Sequence, residues 1–337
     1  MKEQWVQSTH PGVGLLREAR QVTLSTHWGA DADGLGSALA LRAGLQSLGI
    51  SAKVILPNPL FDRVAFLDWN SEVLVWDQGN EASSWLSESD LVVLLDTSSL
   101  GSHELLGSAV ENSDLPMMAI DHHLGESSSQ SLVFPDAAAT GEIVFETLRC
   151  LGAEVTPEMA SWLFASISSD TCSFRFVRGR AETFRMGARL IDAGADPWKI
   201  QEGLYQSVSS DALRLFGRAE ARRAFYADGR VAVVWFEPGA LEDLTLDRDD
   251  HRDLIQNLIA QRNIRAAITV TERKDGPTKL SFRGRKGVNL EPMAREFGGG
   301  GHAQACGATL SIETHALKTA LQEKLSNFDG MDAGPLS

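Results

Sequence analysis

Three clusters of acidic and histidine residues each follow directly behind a short apolar run, and this repeat constrains the fold more than any other feature. Unbroken aliphatic runs of this length are typical of buried strands in a parallel sheet. In open α/β sheets, ligands bind outside the carboxyl ends of such strands. The sequence therefore predicts that three strands deliver polar side chains to one sheet edge, from residues 27–33, Asp96 and residues 121–123.

These side chains have the chemistry of a site for more than one divalent metal ion. Carboxylates that crowd together repel one another and resist desolvation unless cations neutralise them. A mixture of histidine nitrogen and carboxylate oxygen favours Mn²⁺, with Mg²⁺ as an alternative and zinc less favoured without thiolates. Each fragment taken alone is also compatible with a helix cap or a turn, so the interpretation depends on the joint pattern of His27, Asp31, Asp33, Asp96, Asp121, His122, His123 and Asp170.

The residues that follow the first acidic pair predict the start of a helix. Gly34 and Gly36 are expected to let the backbone turn sharply. Ser37 is then expected near the helix start, where backbone N–H groups favour an anion such as phosphate.

The 337 residues are enough for two domains. Alternating strand and helix patterns over residues 1–195 predict a doubly wound α/β domain with a parallel sheet. Residues 196–225 are predicted as a helical linker, and one long helix over 198–225 would let domain closure gate substrate entry. Residues 226–327 are predicted as a smaller α+β domain, followed by a flexible tail at 328–337.

Composition excludes several classes of protein. With 31 basic and 45 acidic residues the net charge is −14, which disfavours stable binding of duplex DNA. No apolar run approaches the roughly 20 residues of a membrane helix, and the first 20 residues lack the apolar core of a signal peptide. We therefore expect a cytoplasmic protein without a membrane partner. Three widely spaced cysteines predict reduced thiols rather than disulfides.

The second domain carries a local basic region in this acidic chain. Residues 262–295 hold nine Lys or Arg against three Asp or Glu, and most of them are expected to form a solvated face. Arg283 follows a strand-like run and is expected to clamp a phosphate. The glycines at 298–301 are expected to offer backbone N–H groups to a phosphate, with a flexible hinge as the alternative, and His302 follows them directly.

Taken in order, these motifs resemble those of the DHH phosphoesterase superfamily. The first half of the resemblance is carried by His27-x-x-x-Asp31-x-Asp33-Gly34-x-Gly36-Ser37, Asp96, Asp121-His122-His123 and Asp170-Thr171. Ser281-Phe282-Arg283 followed by Phe297-Gly298-Gly299-Gly300-Gly301-His302 resembles the DHH-associated C-terminal domain. The motifs span residues 22 to about 310, and the size and domain order are most similar to the nanoRNase/pAp-phosphatase branch. Three positions depart from the common pattern without removing a ligand, namely Ala30 for Pro, Cys172 for Gly and Gly284 for Ser.

The resemblance implies a role for each residue. One ion would be held by His27, Asp31 and Asp96, and a second by Asp33, Asp96, His122 and Asp170, with Asp96 bridging. Asp121 would orient its neighbours, and His123 would contact the scissile phosphate or assist the leaving group. The substrate-binding residues would be Ser281, Arg283, Gly299, Gly300, Gly301 and His302. A homodimer is also implied.

The activity implied is hydrolysis of short oligoribonucleotides to mononucleotides, together with dephosphorylation of 3′-phosphoadenosine 5′-phosphate (pAp). Two divalent ions would activate a water for in-line attack on phosphorus. A cyclic di-AMP or pApA phosphodiesterase and a RecJ-like single-strand exonuclease stay open as alternatives. A pyrophosphatase of the same superfamily and a nucleotide-binding regulator without activity are less favoured.

Overall fold

The computed structural model describes residues 5–123, 128–177, 180–246, 248–274, 276–311 and 314–326. The chain separates into two compact units, Met1–Ser207 and Val208–Ser337. The tail predicted at 328–337 lies outside the described residues. No helix among the described residues is both long and apolar enough to cross a bilayer.

The first unit is built on a parallel sheet. Its strands are β1 (Gln21–Thr26), β2 (Ser51–Leu56), β3 (Leu74–Val75), β4 (Leu91–Leu95), β5 (Met117–Asp121) and β6 (Leu132–Val133). Within the described residues their order is β3-β2-β1-β4-β5-β6, and each neighbouring pair is parallel. This order confirms the predicted doubly wound sheet. It also places the reversal of strand order between β1 and β4, the position at which such sheets bind ligands.

Helices cover the sheet of the first unit. They are α1 (Pro11–Glu18), α2 (Ala32–Ser47), α3 (Asp62–Ala65), α4 (Glu81–Glu88), α5 (Glu104–Glu111), α6 (Thr140–Leu151), α7 (Pro157–Asp170), α8 (Ala181–Asp192) and α9 (Pro197–Tyr205), with a 3₁₀ turn at Leu100–Ser102. The α2 helix is buried along nearly its whole length because it packs between the sheet and helices α6 and α7.

Gly34 and Gly36 serve close packing rather than a turn, so the predicted sharp turn is wrong. Both lie inside α2. A Cβ on Gly34 would come within 2.1 Å of Thr26 Oγ1, and one on Gly36 would come within 2.6 Å of the carbonyl oxygen of Trp162 on α7. The absence of side chains therefore lets α2 approach both β1 and α7.

The second unit is an α+β structure around a mixed sheet. Its elements are α10 (Ser210–Arg222), β7 (Arg223–Tyr226), β8 (Val231–Phe236), α11 (Arg248–Ile259), β9 (Ala266–Arg273), β10 (Gly276–Gly284), α12 (Glu291–Glu296), β11 (Gly300–His302), β12 (Ala305–Leu310) and α13 (Thr314–Ser326). The strand order is β11-β12-β10-β9-β8-β7 in the described part. The β8–β9 pair is parallel and the other pairs are antiparallel.

The continuous helix considered for residues 198–225 does not form. The α9 helix ends at Tyr205 and α10 begins at Ser210, where Ser209 Oγ accepts a hydrogen bond from the backbone N–H of Ala212 at 3.0 Å. A serine in this position ends one segment and starts a new helix. Residues from Arg223 onward belong to a strand, so a gating mechanism that needs one rigid helix here has no basis.

Candidate metal centre

The three predicted clusters lie at the carboxyl ends of adjacent strands. His27 follows the last residue of β1, Asp96 follows β4, and His122 follows β5, which ends at Asp121. Because β1, β4 and β5 are neighbours in the sheet, the three segments meet at one edge. Asp170, the last residue of α7, reaches the same place.

One group of potential ligand atoms surrounds the imidazole of His27. Its Nε2 lies 3.8 Å from Asp31 Oδ1 and 3.5 Å from Asp96 Oδ2. The atoms that the three residues offer all lie within 4.8 Å of one another. Ligands around a single ion with bonds of about 2.0–2.2 Å have comparable spacing.

A second group surrounds His122. Its Nε2 lies 3.1 Å from Asp170 Oδ2 and 3.6 Å from Asp33 Oδ2. It is also 3.4 Å from Asp96 Oδ1. Asp96 Oδ2 therefore faces His27, and Asp96 Oδ1 faces His122, with His123 Nδ1 also 3.5 Å from Oδ1. This places the carboxylate between the two groups. Asp96 adopts a left-handed backbone with φ +59°, a conformation that Asp tolerates better than most residues.

The second group fits a divalent cation. The imidazole of His122 is buried, and its Nδ1 lies 3.2 Å from the carbonyl oxygen of Ala137. Only an N–H can bond a carbonyl, so the ring donates there and turns Nε2 toward the carboxylates. That Nε2 is a buried atom with no hydrogen-bond partner of proper geometry among the described residues. A buried imidazole nitrogen that faces three carboxylates without a hydrogen bond is suited to a cation.

Asp33 is held in place by four hydrogen bonds. Its Oδ1 accepts hydrogen bonds from Ser166 Oγ at 2.6 Å and from Ser37 Oγ at 3.3 Å. The backbone N–H groups of Thr140 and Gly141, at the start of α6, donate to Oδ2 at 2.9 Å and to Oδ1 at 3.3 Å. The carboxylate therefore satisfies N–H groups of a helix whose N-cap, Ala139, makes no side-chain bond.

The concentration of negative charge shows in the pKa values of this cluster. Burial and the neighbouring carboxylates Asp96 and Asp170 raise the pKa of Asp33. Burial alone would lower the pKa of His27, but Asp31 and Asp96 outweigh it and raise that pKa to about 11. For His122, burial is likewise outweighed, here by Asp170 and Asp96, and its pKa rises to about 12. The potential that binds these protons also favours a divalent cation.

His123 stands at the exposed side of the cluster. Asp121 Oδ1 accepts the backbone N–H of His123 and lies 2.9 Å from its Nδ1. The hydrogen bond with Asp121 raises the pKa of His123. The side chain is 47% exposed, whereas that of Asp121 is buried. An imidazole in this setting can donate a proton or a hydrogen bond toward solvent.

Ser37 lies in the second turn of α2 rather than at its start, so the expectation that placed it near the helix start is wrong. Its side chain is fully buried and donates to Asp33. Asp31 is the N-cap of α2, and its Oδ1 accepts the N–H groups of Asp33 and Gly34 at 3.1 and 3.2 Å. These amides are therefore already satisfied within the protein.

The predicted substrate-binding residues of the second unit lie on strands β10 and β11 and directly before β11. Arg283 pairs across the strands with Ala305, which pairs in turn with His302. Directly paired residues of antiparallel strands share a face, and so do residues two apart. Ser281 and Gly300 therefore lie on the same face as Arg283 and His302. Phe282 points to the opposite face, into the core.

The glycine run is not a uniform cradle of backbone amides. The N–H groups of Gly298 and Gly299 donate to carbonyls at the end of α12, at 2.9 and 2.8 Å, so the predicted cradle is wrong for these two. A Cβ on Gly299 would lie 2.0 Å from the carbonyl oxygen of Gly307, and Gly301 has φ +132°. A Cβ on Gly300 would meet nothing within 4 Å, so packing does not require glycine there.

Several residues of the centre were not anticipated from the sequence. Thr140 Oγ1 donates to Asp96 Oδ1 at 3.1 Å, and Ser166 and Glu142 are buried beside the cluster. Ser166 is four residues before Asp170 on α7, one helical turn away, and this spacing is a signal that could have found it. Thr140 and Glu142 carry no such signal, because the contacts of α6 depend on the tertiary fold.

Comparisons with known proteins give matches over both units. Residues 21–167 match the N-terminal domain of the DHH family, and residues 228–327 match the DHHA1 domain. The chain is 30% identical over 293 residues to a bifunctional oligoribonuclease and PAP phosphatase, NrnA, of Thermus thermophilus, covering 86% of this chain and 84% of the relative. It is 26% identical over 315 residues to a cyclic-di-AMP phosphodiesterase, GdpP, of Geobacillus thermodenitrificans, covering 89% of this chain but 46% of that protein.

Solved structures show the same fold. An exopolyphosphatase-related protein from Bacteroides fragilis superposes with a TM-score of 0.86 at 22% identity, covering 97% of this chain and 98% of that one. The exonuclease RecJ, solved with bound manganese, superposes with a TM-score of 0.55 at 15% identity, covering 97% of each chain. At these identities the likeness concerns the fold alone.

Proposed function

This chain belongs to the DHH family, and from that premise we propose that it is a two-metal phosphoesterase that hydrolyses short oligoribonucleotides to mononucleotides and dephosphorylates pAp. The observation that carries the proposal is Asp96, whose two carboxylate oxygens face His27 and His122 at 3.5 and 3.4 Å. We propose Mn²⁺ as the ion, with Mg²⁺ as the alternative, because the donors are imidazole and carboxylate.

Residues of the first unit would hold two ions in two overlapping sets. His27, Asp31 and Asp96 form the first set, and Asp33, Asp96, His122 and Asp170 form the second. When bound, the ions supply charge neutralisation for the phosphoryl oxygens and acidity for an attacking water. The residues around them fix the geometry in advance, as the hydrogen bonds to Asp33 illustrate, so little reorganisation is needed during the reaction.

His123 is proposed to act on the leaving group or the scissile phosphate. Asp121 holds the ring through Nδ1 and raises its pKa, so the imidazole keeps its proton to a higher pH than it would without Asp121. A protonated imidazole donates a hydrogen bond to a phosphate oxygen or a proton to a departing alkoxide. Asp121 then serves as the orienting residue.

The second unit is proposed to bind the substrate. Arg283 and His302 share one face of the sheet with Ser281, and Gly300 leaves open space beside them. A guanidinium offers a paired set of donors to a phosphate. Gly299 and Gly301 would contribute by allowing the backbone to pass close to β12, since neither position has room for a side chain. They would not contribute as part of a continuous cradle of backbone amides.

The sequence similarity to GdpP supports a second candidate activity, the hydrolysis of cyclic di-AMP or its linear product pApA. The metal centre would serve either reaction, since both cleave a phosphoester. A RecJ-like exonuclease is the third possibility, and it rests on a likeness of fold alone. A homodimer, the absence of stable binding to duplex DNA and a cytoplasmic location stay predictions.

The test is a hydrolysis panel with purified full-length protein and Mn²⁺. The substrates are pAp, 5′-phosphorylated RNA from a dinucleotide to a 24-mer, pApA, cyclic di-AMP and pyrophosphate, with Asp96→Ala as the inactive control. Turnover of pAp and of two- to five-nucleotide RNA, lost in Asp96→Ala, is the expected result. A preference for cyclic di-AMP or for the 24-mer would contradict the substrate assignment, and no turnover of any substrate would contradict the enzymatic one.

A further inference from the structure

Glu142 is a buried acid whose contact is not explained by the proposed reaction. It lies in the first turn of α6 and is 1% exposed. Its Oε2 accepts a hydrogen bond from the backbone N–H of Ala138 at 2.9 Å. Burial raises the pKa of Glu142. Burying an acid is costly. We therefore ask what the buried carboxyl of Glu142 achieves by holding the N–H of Ala138.

The peptide that Glu142 holds is the same one that orients His122. The N–H of Ala138 and the carbonyl of Ala137 belong to one planar peptide unit. Ala137 O accepts the hydrogen bond from His122 Nδ1 at 3.2 Å. When Glu142 fixes the N–H end of this unit, it also fixes the direction of the carbonyl. The carbonyl in turn sets the rotation of the His122 ring, whose Nε2 faces the carboxylates.

We propose that Glu142 is a positioning residue that acts through the Ala137–Ala138 peptide and His122, and that it sets the affinity of the centre for divalent ions. The inference rests on the proposed function, because it takes His122 as a metal ligand. Residues that orient a metal-binding histidine usually accept its N–H directly. Here one peptide unit is interposed between the acid and the imidazole.

The simpler explanation is that Glu142 only stabilises the start of α6. It is the third residue of the helix, the position from which an acid reaches back to an amide before the first turn. A capping role alone would change the thermal stability of the protein and leave the metal affinity of the folded state unchanged. Metal affinity is therefore the deciding measurement.

Two substitutions separate the hydrogen bond from the charge. Glu142→Gln keeps a side-chain oxygen at the same reach and removes the acid. Glu142→Asp keeps the acid but is one methylene too short to reach Ala138 N. Glu142→Met, similar in length and without a strong acceptor, is a second variant that loses the contact. Glu146→Gln is the matched control, because Glu146 lies one turn later on α6 and pairs with Arg149.

The experiment is calorimetric titration of each full-length variant with Mn²⁺, together with thermal unfolding of the metal-free protein. We expect Glu142→Gln and Glu146→Gln to bind Mn²⁺ close to wild type. Glu142→Asp and Glu142→Met should bind about 10- to 100-fold more weakly, the range found when groups that orient metal ligands are removed. Either of the two suffices if the other does not fold.

The outcomes separate this inference from the proposed function. Wild-type affinity in Glu142→Asp or Glu142→Met, with lowered thermal stability, would leave only a capping role and overturn the inference. Weaker binding by Glu142→Gln than by Glu142→Asp would assign the effect to charge and overturn it as well. Failure of the wild type to bind Mn²⁺ would overturn the proposed function, and the inference with it.

Discussion

The two regions that carry the proposed functional residues are constructed differently. At the edge of the first sheet, buried carboxylates and imidazoles from several elements are fixed by hydrogen bonds, four of them to Asp33 alone. On the second sheet, Ser281, Arg283 and His302 stand at half-buried or exposed positions on regular strands. The first arrangement suits chemistry that tolerates little displacement. The second suits recognition, since a side chain there can change without disturbing the backbone that presents it.

Replacing Asp33 tests how strictly the first region is constrained. In Asp33→Asn an NH₂ group replaces one oxygen and opposes either the Thr140 N–H or the donors around Oδ1, so buried donors lose their acceptor. We expect kcat to fall on the order of a thousandfold, the scale seen when one preorganised electrostatic group is removed. The measurement is steady-state turnover of pAp and of a dinucleotide. Ser37→Ala, which leaves the carboxylate intact, is the control, and a loss confined to one substrate would contradict the prediction.

The pH dependence of metal binding distinguishes the charged centre from the second region. In metal-free protein the carboxylates outweigh burial and raise the pKa values of His27 and His122 to about 11 and 12, so both rings are protonated at pH 7. Coordination requires neutral imidazole, so these protons must leave and affinity must rise with pH. With about one proton released per ion, the affinity for each ion changes about tenfold per pH unit, and the product of the two binding constants changes about a hundredfold.

Calorimetry of Mn²⁺ binding at pH 7, in buffers of different ionisation enthalpy, counts the released protons. Affinity that is independent of pH, with no proton release, would show that the histidines are not ligands. Asp170→Asn provides a comparison, because removal of one carboxylate near His122 should weaken binding while proton release persists.

Replacing Arg283 tests whether the second region contributes to substrate binding and not to the chemical step. Loss of hydrogen bonds from a charged donor costs about 1.5–3 kcal/mol, so we expect Arg283→Gln to raise KM about 10- to 100-fold and to leave kcat near wild type. Lys286→Gln, an exposed basic residue nearby in the sequence, should change neither. An equal fall in kcat and kcat/KM would instead place Arg283 in the transition-state interactions.

The smallest effect is expected at Gly300. Its added Cβ meets open space, so Gly300→Ala should change the free energy of unfolding by less than about 0.5 kcal/mol. Gly299→Ala should cost about 1–3 kcal/mol or more, because its Cβ would overlap the backbone of β12. Thermal unfolding compares the two variants. A raised KM in the stable Gly300→Ala protein would indicate that substrate passes over this position, and an unstable Gly300→Ala would show that packing requires the glycine.

The sequence predicted those parts of the molecule that depend on local pattern. Apolar runs followed by polar residues revealed the strands of the first sheet and the edge at which His27, Asp96 and His122 meet. The pattern did not reveal why Gly34 and Gly36 are present, because the close approach of α2 to β1 and to α7 is a tertiary contact. It also did not show that Gly300–His302 form a strand, since glycines have low strand propensity and β12 supplies the pairing.

Cys172 has a left-handed backbone conformation, which favours glycine. It stands where glycine is common in the family that the sequence resembles. Its φ is +48°, and Ser173 and Phe174 follow with φ +60° and +61°. Three successive side-chain-bearing residues in this region are unfavourable without tertiary support. Phe174 provides such support by packing between Phe164 and Phe184.

The hydrogen bonds to Asp33 also bear on the order in which the protein can mature. They join Asp33 to Thr140 and Ser166, which are 107 and 133 residues away in the chain. During synthesis, Asp33 and Asp96 leave the ribosome long before α7 exists, and contacts at such separation form late in folding. The second proposed ligand set is therefore complete only after Asp170 has been made and α7 has docked. Binding of an ion at this second set would then be a late event that reports a finished first unit, rather than a nucleus around which the chain folds.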